Sequence, residues 1–141
     1  MSTSFRIRTD GGSRGNPGPS GIGVVIEDAE TGSIVETHKR FLGVTTNNQA
    51  EYKAVILGLE RCHALGAKKV EVLADSELLI RQAKGEYKVK NIDLQARFRE
   101  MRALVMAIGQ VTFKHVYREQ NKAADALANE AMDEARGMSG F

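Results

Sequence analysis

The chain has 141 residues, 42% of them hydrophobic and 27% charged, with a formal net charge of +2. Those values fit one soluble globular domain large enough to bury a core, and the small net charge leaves a polyanionic partner open without requiring one. A single cysteine, Cys62, excludes an internal disulfide and a multi-cysteine metal site; no apolar run nears the roughly 18 residues of a membrane span, and residues 1–4 lack a secretory signal.

Residues 4–11 alternate in polarity and predict a strand ending at Asp10-Gly11-Gly12. Residues 13–21, rich in Gly, Pro and Ser, are expected to form a loop. Ile22-Gly23-Val24-Val25-Ile26 predicts a strand buried on both faces. A turn at Glu30-Thr31-Gly32-Ser33 leads to a third strand over 34–43, which completes an antiparallel meander. The period then becomes helical. Thr46 or Asn47 can cap a helix whose stripe is Ala50, Ala54, Val55, Gly58, Cys62 and Leu65, and Gly66 stops it. Residues 69–75 predict a strand, and Ser76 a cap for a short helix to about Lys84. After a basic connector, Asp93 is expected to cap a helix with Leu94, Phe98, Met101, Val105 and Ile108 on one face. Residues 110–118 predict the last strand. A final helix over 121–136 carries Ala124, Leu127, Ala128, Ala131 and Ala135. The domain is therefore expected over 1–136, with 137–141 as a short flexible tail. The order βββαβααβα implies an α/β domain with a mixed sheet.

Four acids stand at the edges of these apolar elements. Asp10 and Asp75 end strands, and Glu51 and Asp125 lie in the first turns of helices. If the strands over 4–11 and 69–75 are parallel neighbours, Asp10 and Asp75 meet about 5 Å apart at a sheet edge, where ligands of open α/β sheets collect. Magnesium suits such hard oxygen donors, and two such ions can clamp a phosphodiester. Singly, each acid also has a structural reading, as a turn residue or a partner for a helix dipole.

The strings around these acids resemble, in order, the four motifs of the type 1 ribonuclease H (ribonuclease HI) family. They are Thr9-Asp10-Gly11-Gly12-Ser13-Arg14-Gly15-Asn16-Pro17-Gly18-Pro19, Thr46-Asn47-Asn48-Gln49-Ala50-Glu51, Ala74-Asp75-Ser76, and the run from Arg118 to Ala128 that contains Asp125. The resemblance implies a ribonuclease H-like fold with a five-stranded mixed sheet of order 3-2-1-4-5, its first three strands antiparallel and helices flanking it. It implies endonucleolytic hydrolysis of the RNA strand of RNA/DNA hybrids by two Mg2+ or Mn2+ ions, leaving 3′-hydroxyl and 5′-phosphate ends. It makes Asp10, Glu51, Asp75 and Asp125 the catalytic metal ligands, with Asp10 and Asp75 shared by both ions. Gly11, Asn16, Asn47, Asn48 and Gln49 are implied substrate contacts, and Thr46 a contact to a DNA phosphate. Amides can bond the 2′-hydroxyl that distinguishes RNA, and Gly11, Gly12 and Gly15 are expected to let a ligand approach the backbone.

Two features depart from the better-known bacterial members. The stretch Tyr117-Arg118-Glu119-Gln120-Asn121 is short and holds no histidine, which leaves Arg118 as a candidate phosphate contact and His115 as a half-buried structural residue. The basic handle is reduced to Lys84, Lys88 and Lys90 around Tyr87, which predicts salt-sensitive binding. Cys62 is expected in the core. A monomeric, cytoplasmic protein without membrane attachment is expected, and the initiating Met and full set of elements read as an independent protein. Two rival readings are broader duplex specificity that includes double-stranded RNA, and a non-catalytic nucleic-acid-binding module.

Overall fold

In the computed structural model, which describes residues 2–138, an antiparallel meander of β1 (Ser4–Ser13), β2 (Gly18–Asp28) and β3 (Ile34–Thr45) opens the chain. Helix α1 (Asn47–Ala64) crosses to β4 (Lys69–Ala74). Helices α2 (Glu77–Ala83) and α3 (Ile92–Ile108) lead to β5 (Gln110–His115). A 3-10 turn at Arg118–Gln120 then enters α4 (Lys122–Met138). The five strands form one sheet in the order β3-β2-β1-β4-β5, with β1, β4 and β5 parallel, as the resemblance implies.

Helix α1 packs on one face of the sheet and α4 on the other. Between the sheet and α1 lie Ile7, Val24, Ile26, Val70 and Val72, packed with Tyr52, Val55 and Leu59, and with Met101 of α3. All of these are fully buried, and each such side chain stabilises the fold by about 1.5–3 kcal/mol. Cys62 is in the same core, as expected. Among the described residues, no helix is long and apolar enough to cross a membrane.

Several boundaries differ from the sequence expectation. The expected loop over 13–21 is mostly strand, because β1 and β2 stay paired out to Ser13↔Ser20. Only residues 14–17 turn, closed by Arg14 N–H on the Pro19 carbonyl at 2.8 Å and by the Ser13 hydroxyl on the Gly15 carbonyl. Thr46 caps α1, its Oγ1 accepting from Gln49 N at 3.2 Å, and Ser76 caps α2 in the same way. The cap of α3 is Asn91 rather than Asp93: the Asn91 carboxamide oxygen accepts from Leu94 N, and Asp93 sits in the first turn. Strand β5 stops at His115, so Arg118 stands on the 3-10 turn and not on a strand. Gly137 and Met138, expected in the tail, continue α4. Residues 139–141 lie outside the described residues.

Candidate active site

Strands β1 and β4 pair in parallel from Ser4↔Lys69 to Thr9↔Ala74. The next residue on each is an aspartate, so Asp10 and Asp75 come side by side where this pairing ends. Asp10 is not the last residue of its strand, because β1 continues to Ser13 against β2; Asp75 lies just beyond β4.

Two glycines let helices bring the other acids to this point. A Cβ on Gly11 would lie 2.4 Å from the Ala50 carbonyl and 2.6 Å from Glu51 N. Only glycine admits that contact, so the α1 backbone approaches Gly11 closely. Glu51 thereby stands over Asp10, in the second turn of α1 and not the first. On the opposite face, Gly23 pairs with Asp10 across β1 and β2. Its Cβ would meet the Ala124 carbonyl at 2.1 Å and Leu127 Cβ at 2.7 Å. Helix α4 therefore lies directly on β2 there, and Asp125, the residue after Ala124, reaches Asp10. Buried Asn121 fastens the start of α4: its Nδ2 donates to the Thr9 carbonyl at 2.8 Å.

Asp10 and Glu51 bear the electrostatic burden of this cluster. Burial, then the charge of Asp75, then a hydrogen bond and charge from Asp125 raise the Asp10 carboxyl to about 8. Burial also raises Glu51 to about 7, against an opposing hydrogen bond from Ser76. A cluster that holds protons near neutrality is one that a cation would relieve. Among the described residues, no three His, Cys, Asp or Glu side chains close around one ion position. Glu51 bonds Ser76, and the groove of about 570 Å³ above the carboxylates is open. Four hard oxygen donors on one open side still fit magnesium, which keeps several waters and takes few protein ligands.

The predicted substrate residues fall in two places. Gly11 and Asn47 line the groove with the carboxylates, and Arg118 joins them through an ion pair to Asp125 at 3.6 Å. Asn16, Thr46, Asn48 and Gln49 surround the start of α1 beside it. Asn47 N donates to Asn16 Oδ1 at 3.1 Å, and Ser13 N donates to Asn47 Oδ1 at 2.8 Å, which ties the β1–β2 turn to α1. Asn48 is exposed and Gln49 half-buried. His115 is half-buried as expected, but it also forms part of the groove wall, edge-on to Tyr117. Lys84, Lys88 and Lys90 are all exposed, and Tyr87 lies under the Arg81 guanidinium.

Sequence reasoning missed two further residues. Asn121 reads as an ordinary helix-start residue, and nothing in the string announces its burial. Arg14 reads as loop, yet it donates to Asp133 at 2.7 Å and to Asn129 at 3.2 Å, and Asn129 bonds the Asp125 carbonyl. The same turn is thus tied to α4 as well as to α1.

A mixed sheet of order 3-2-1-4-5, with carboxylates converging where β1 and β4 stop pairing, defines the ribonuclease H-like class of α/β proteins. Residues 8–131 match the family described as reverse transcriptase-like. Bifunctional protein Rv2228c of Mycobacterium tuberculosis is 43% identical over 129 residues, covering 92% of this chain and 35% of that protein. The structure of its N-terminal RNase H domain, fused to maltose binding protein, superposes with a TM-score of 0.93 at 40% identity, covering 99% of this chain and 100% of that one. LC11-RNase H1, solved in complex with an RNA/DNA hybrid, gives a TM-score of 0.89 at 45% identity over 93% of this chain and 98% of that one. The chain belongs to the type 1 ribonuclease H family. It spans about a third of the length of the mycobacterial relative.

Proposed function

We propose that this chain is an endoribonuclease that hydrolyses the RNA strand of RNA/DNA hybrids, leaving 3′-hydroxyl and 5′-phosphate ends. The observation that carries the reading is the gathering of Asp10, Glu51, Asp75 and Asp125 in one open groove on this fold. A similar chain, LC11-RNase H1, has been solved with such a hybrid bound.

Asp10 and Asp75 would hold both of two Mg2+ or Mn2+ ions, Glu51 one and Asp125 the other. Such ions supply an activated water and charge stabilisation for the leaving oxygen. The protein's part is to present ionised carboxylates, so Asp10 and Glu51 give up the protons that their surroundings favour. Asn16, Asn48 and Gln49 would meet the minor groove of a bound duplex, where their amides can bond 2′-hydroxyls. The Asn47 carboxamide oxygen and backbone N–H are engaged, which leaves its side-chain N–H groups for the duplex. Thr46 uses its hydroxyl oxygen as a cap acceptor and keeps the O–H for a DNA phosphate. Arg118 neutralises charge beside Asp125 and would contact the scissile phosphate.

A gel assay on RNA/DNA hybrid, double-stranded RNA and double-stranded DNA, with Mg2+, Mn2+ or EDTA, tests the proposal. Metal-dependent cleavage confined to the RNA of the hybrid is expected. Cleavage of double-stranded RNA at a comparable rate would establish the broader specificity instead. Hybrid binding without cleavage under any metal would leave only a binding module.

A further inference from the structure

On the face that carries Asp10 and Asp75, the sheet runs on below the carboxylates. Strand residues alternate faces, so Arg8 and Arg6 share the side of Asp10, and Leu73 and Glu71 that of Asp75. The register sets Arg8, Leu73 and Lys114 in one row and Arg6, Glu71 and Thr112 in the next. Helix α4 packs on β2, β3 and β1 of this face, and Thr112 and Lys114 of β5 stay exposed. The bare part forms a second groove of about 540 Å³, lined by buried Leu73 and by Arg6, Arg8, Lys114 and Gln120. Val116 lines this groove and the one above the carboxylates alike. The 3-10 turn stands between the two, with Arg118 on one side and Gln120 on the other.

The second groove is cationic. Arg6 bonds Glu71 at 3.0 Å and Arg8 bonds Glu27 at 3.2 Å, which holds both guanidinium groups in place. Lys114 forms no ion pair among the described residues, so the cations outnumber the carboxylates. At a strand rise of about 3.3 Å per residue, Arg8 and Arg6 lie about 7 and 13 Å along β1 from Asp10. That is within reach of the next phosphates of a strand cut at the carboxylates. Where the two grooves meet, Tyr117 is 68% exposed, its ring edge-on to His115 at 5.4 Å. A cationic groove beside an exposed aromatic ring is how proteins hold single strands: the backbone follows the charge and a base stacks on the ring. Bases inside a duplex have both faces covered by their neighbours, so such a ring selects an unpaired one.

We propose that this second groove binds the unpaired continuation of the RNA strand where it leaves the hybrid, its phosphates on Lys114 and Arg8 and one base on Tyr117. The inference rests on the carboxylates being the site of RNA cleavage, since that brings the RNA strand to the mouth of the second groove.

Binding by the Asp10→Asn chain in Mg2+, followed by fluorescence anisotropy, tests this. The probes are a blunt hybrid and the same hybrid extended by a short unpaired RNA segment at its 5′ or its 3′ end. The extension should tighten binding roughly tenfold, the worth of one stacked base, at one end only, because the groove leaves the carboxylates on one side. The gain should fade as salt is raised. Added to Asp10→Asn, Tyr117→Ala and Lys114→Glu should each remove most of it. Lys114→Glu alone should leave cleavage of the blunt hybrid unchanged. In the parent chain, 4-thiouridine in the extension should photocrosslink to Tyr117 or to residues of the second groove. Cleavage of the blunt hybrid by the unaltered chain separates the two readings. With that cleavage present, an extension that gains nothing, gains equally at both ends, or crosslinks only elsewhere overturns the groove proposal and leaves the nuclease standing. Without it, the premise and the groove proposal fall together.

Discussion

Asn121 donates its side-chain amide to the carbonyl of Thr9 at 2.8 Å, and Thr9 immediately precedes Asp10. The start of α4 is therefore fastened to β1 one residue from the centre of the carboxylate cluster. Asp125, one helical turn on from Asn121, is placed against Asp10 by that bond together with the contact of α4 on Gly23. Replacing Asn121 by Ala leaves the buried Thr9 carbonyl without its donor, which costs about 1–3 kcal/mol. Thermal unfolding should show that loss, and hybrid cleavage should fall with it as Asp125 moves from Asp10.

Gly23 and Gly12 should respond differently to alanine. At Gly23 the new methyl group meets the Ala124 carbonyl at 2.1 Å, and backbone cannot step aside as a flexible side chain can. A loss of about 1–3 kcal/mol is expected, of the kind overpacking causes, together with reduced cleavage because α4 is pushed off the sheet. At Gly12 nothing lies within 4 Å, so Gly12→Ala should leave the melting temperature nearly unchanged. Equal melting temperatures for the two variants would show that α4 is not seated through Gly23.

The raised Asp10 carboxyl makes the stability of the metal-free protein depend on pH. An acid whose folded value is raised binds more protons when folded than when unfolded, so stability falls as pH rises. The window runs from 3.8, the ordinary value, up to about 8. Melting temperatures in EDTA should decline across that range, and added Mg2+ should recover the loss at its alkaline end. Asp10→Asn should make the profile shallower, leaving the slope that Glu51 contributes between 4.5 and about 7, and in EDTA near neutral pH should stabilise the protein by about 1 kcal/mol or more. The same variant should lose hybrid cleavage while retaining hybrid binding, since an amide is a poor magnesium ligand.

Thr46 serves both as the cap of α1 and as a proposed phosphate contact. Thr46→Ala removes the acceptor for Gln49 N and should cost about 1 kcal/mol. Thr46→Ser keeps the hydroxyl and should restore both stability and hybrid affinity, measured by denaturant unfolding and by hybrid titration.

The order of the elements and the positions of the four acids were legible in the string, because strand and helix periods are local signals, whereas the sheet order followed only from the resemblance of the four motifs to a known family. The seating of the helices was not legible. Gly23 in an apolar strand looks the same whether it marks a bulge or a helix crossing, and only the tertiary contact with Ala124 distinguishes them. Asn121 reads as a helix-start residue, and its burial depends on β1 lying beneath it. The strand pairing out to Ser13 and Ser20 was hidden by a composition that spells loop, yet Gly18 and Ser20 are buried there by the elements around them. Asn91 and Asp93 both favour a cap, and the bond to Leu94 decides between them.

The parallel pairing of β1 with β4 acts as a ruler for the chemistry. Deleting one residue between Lys69 and Asp75 would turn the last aspartate onto the opposite side of the sheet, because successive strand residues alternate faces. The exposed hairpin around Thr31 and Gly32 measures nothing of that kind. Length variation should therefore be tolerated at that hairpin, while the interval between Lys69 and Asp75 stays fixed for as long as the carboxylates are to meet.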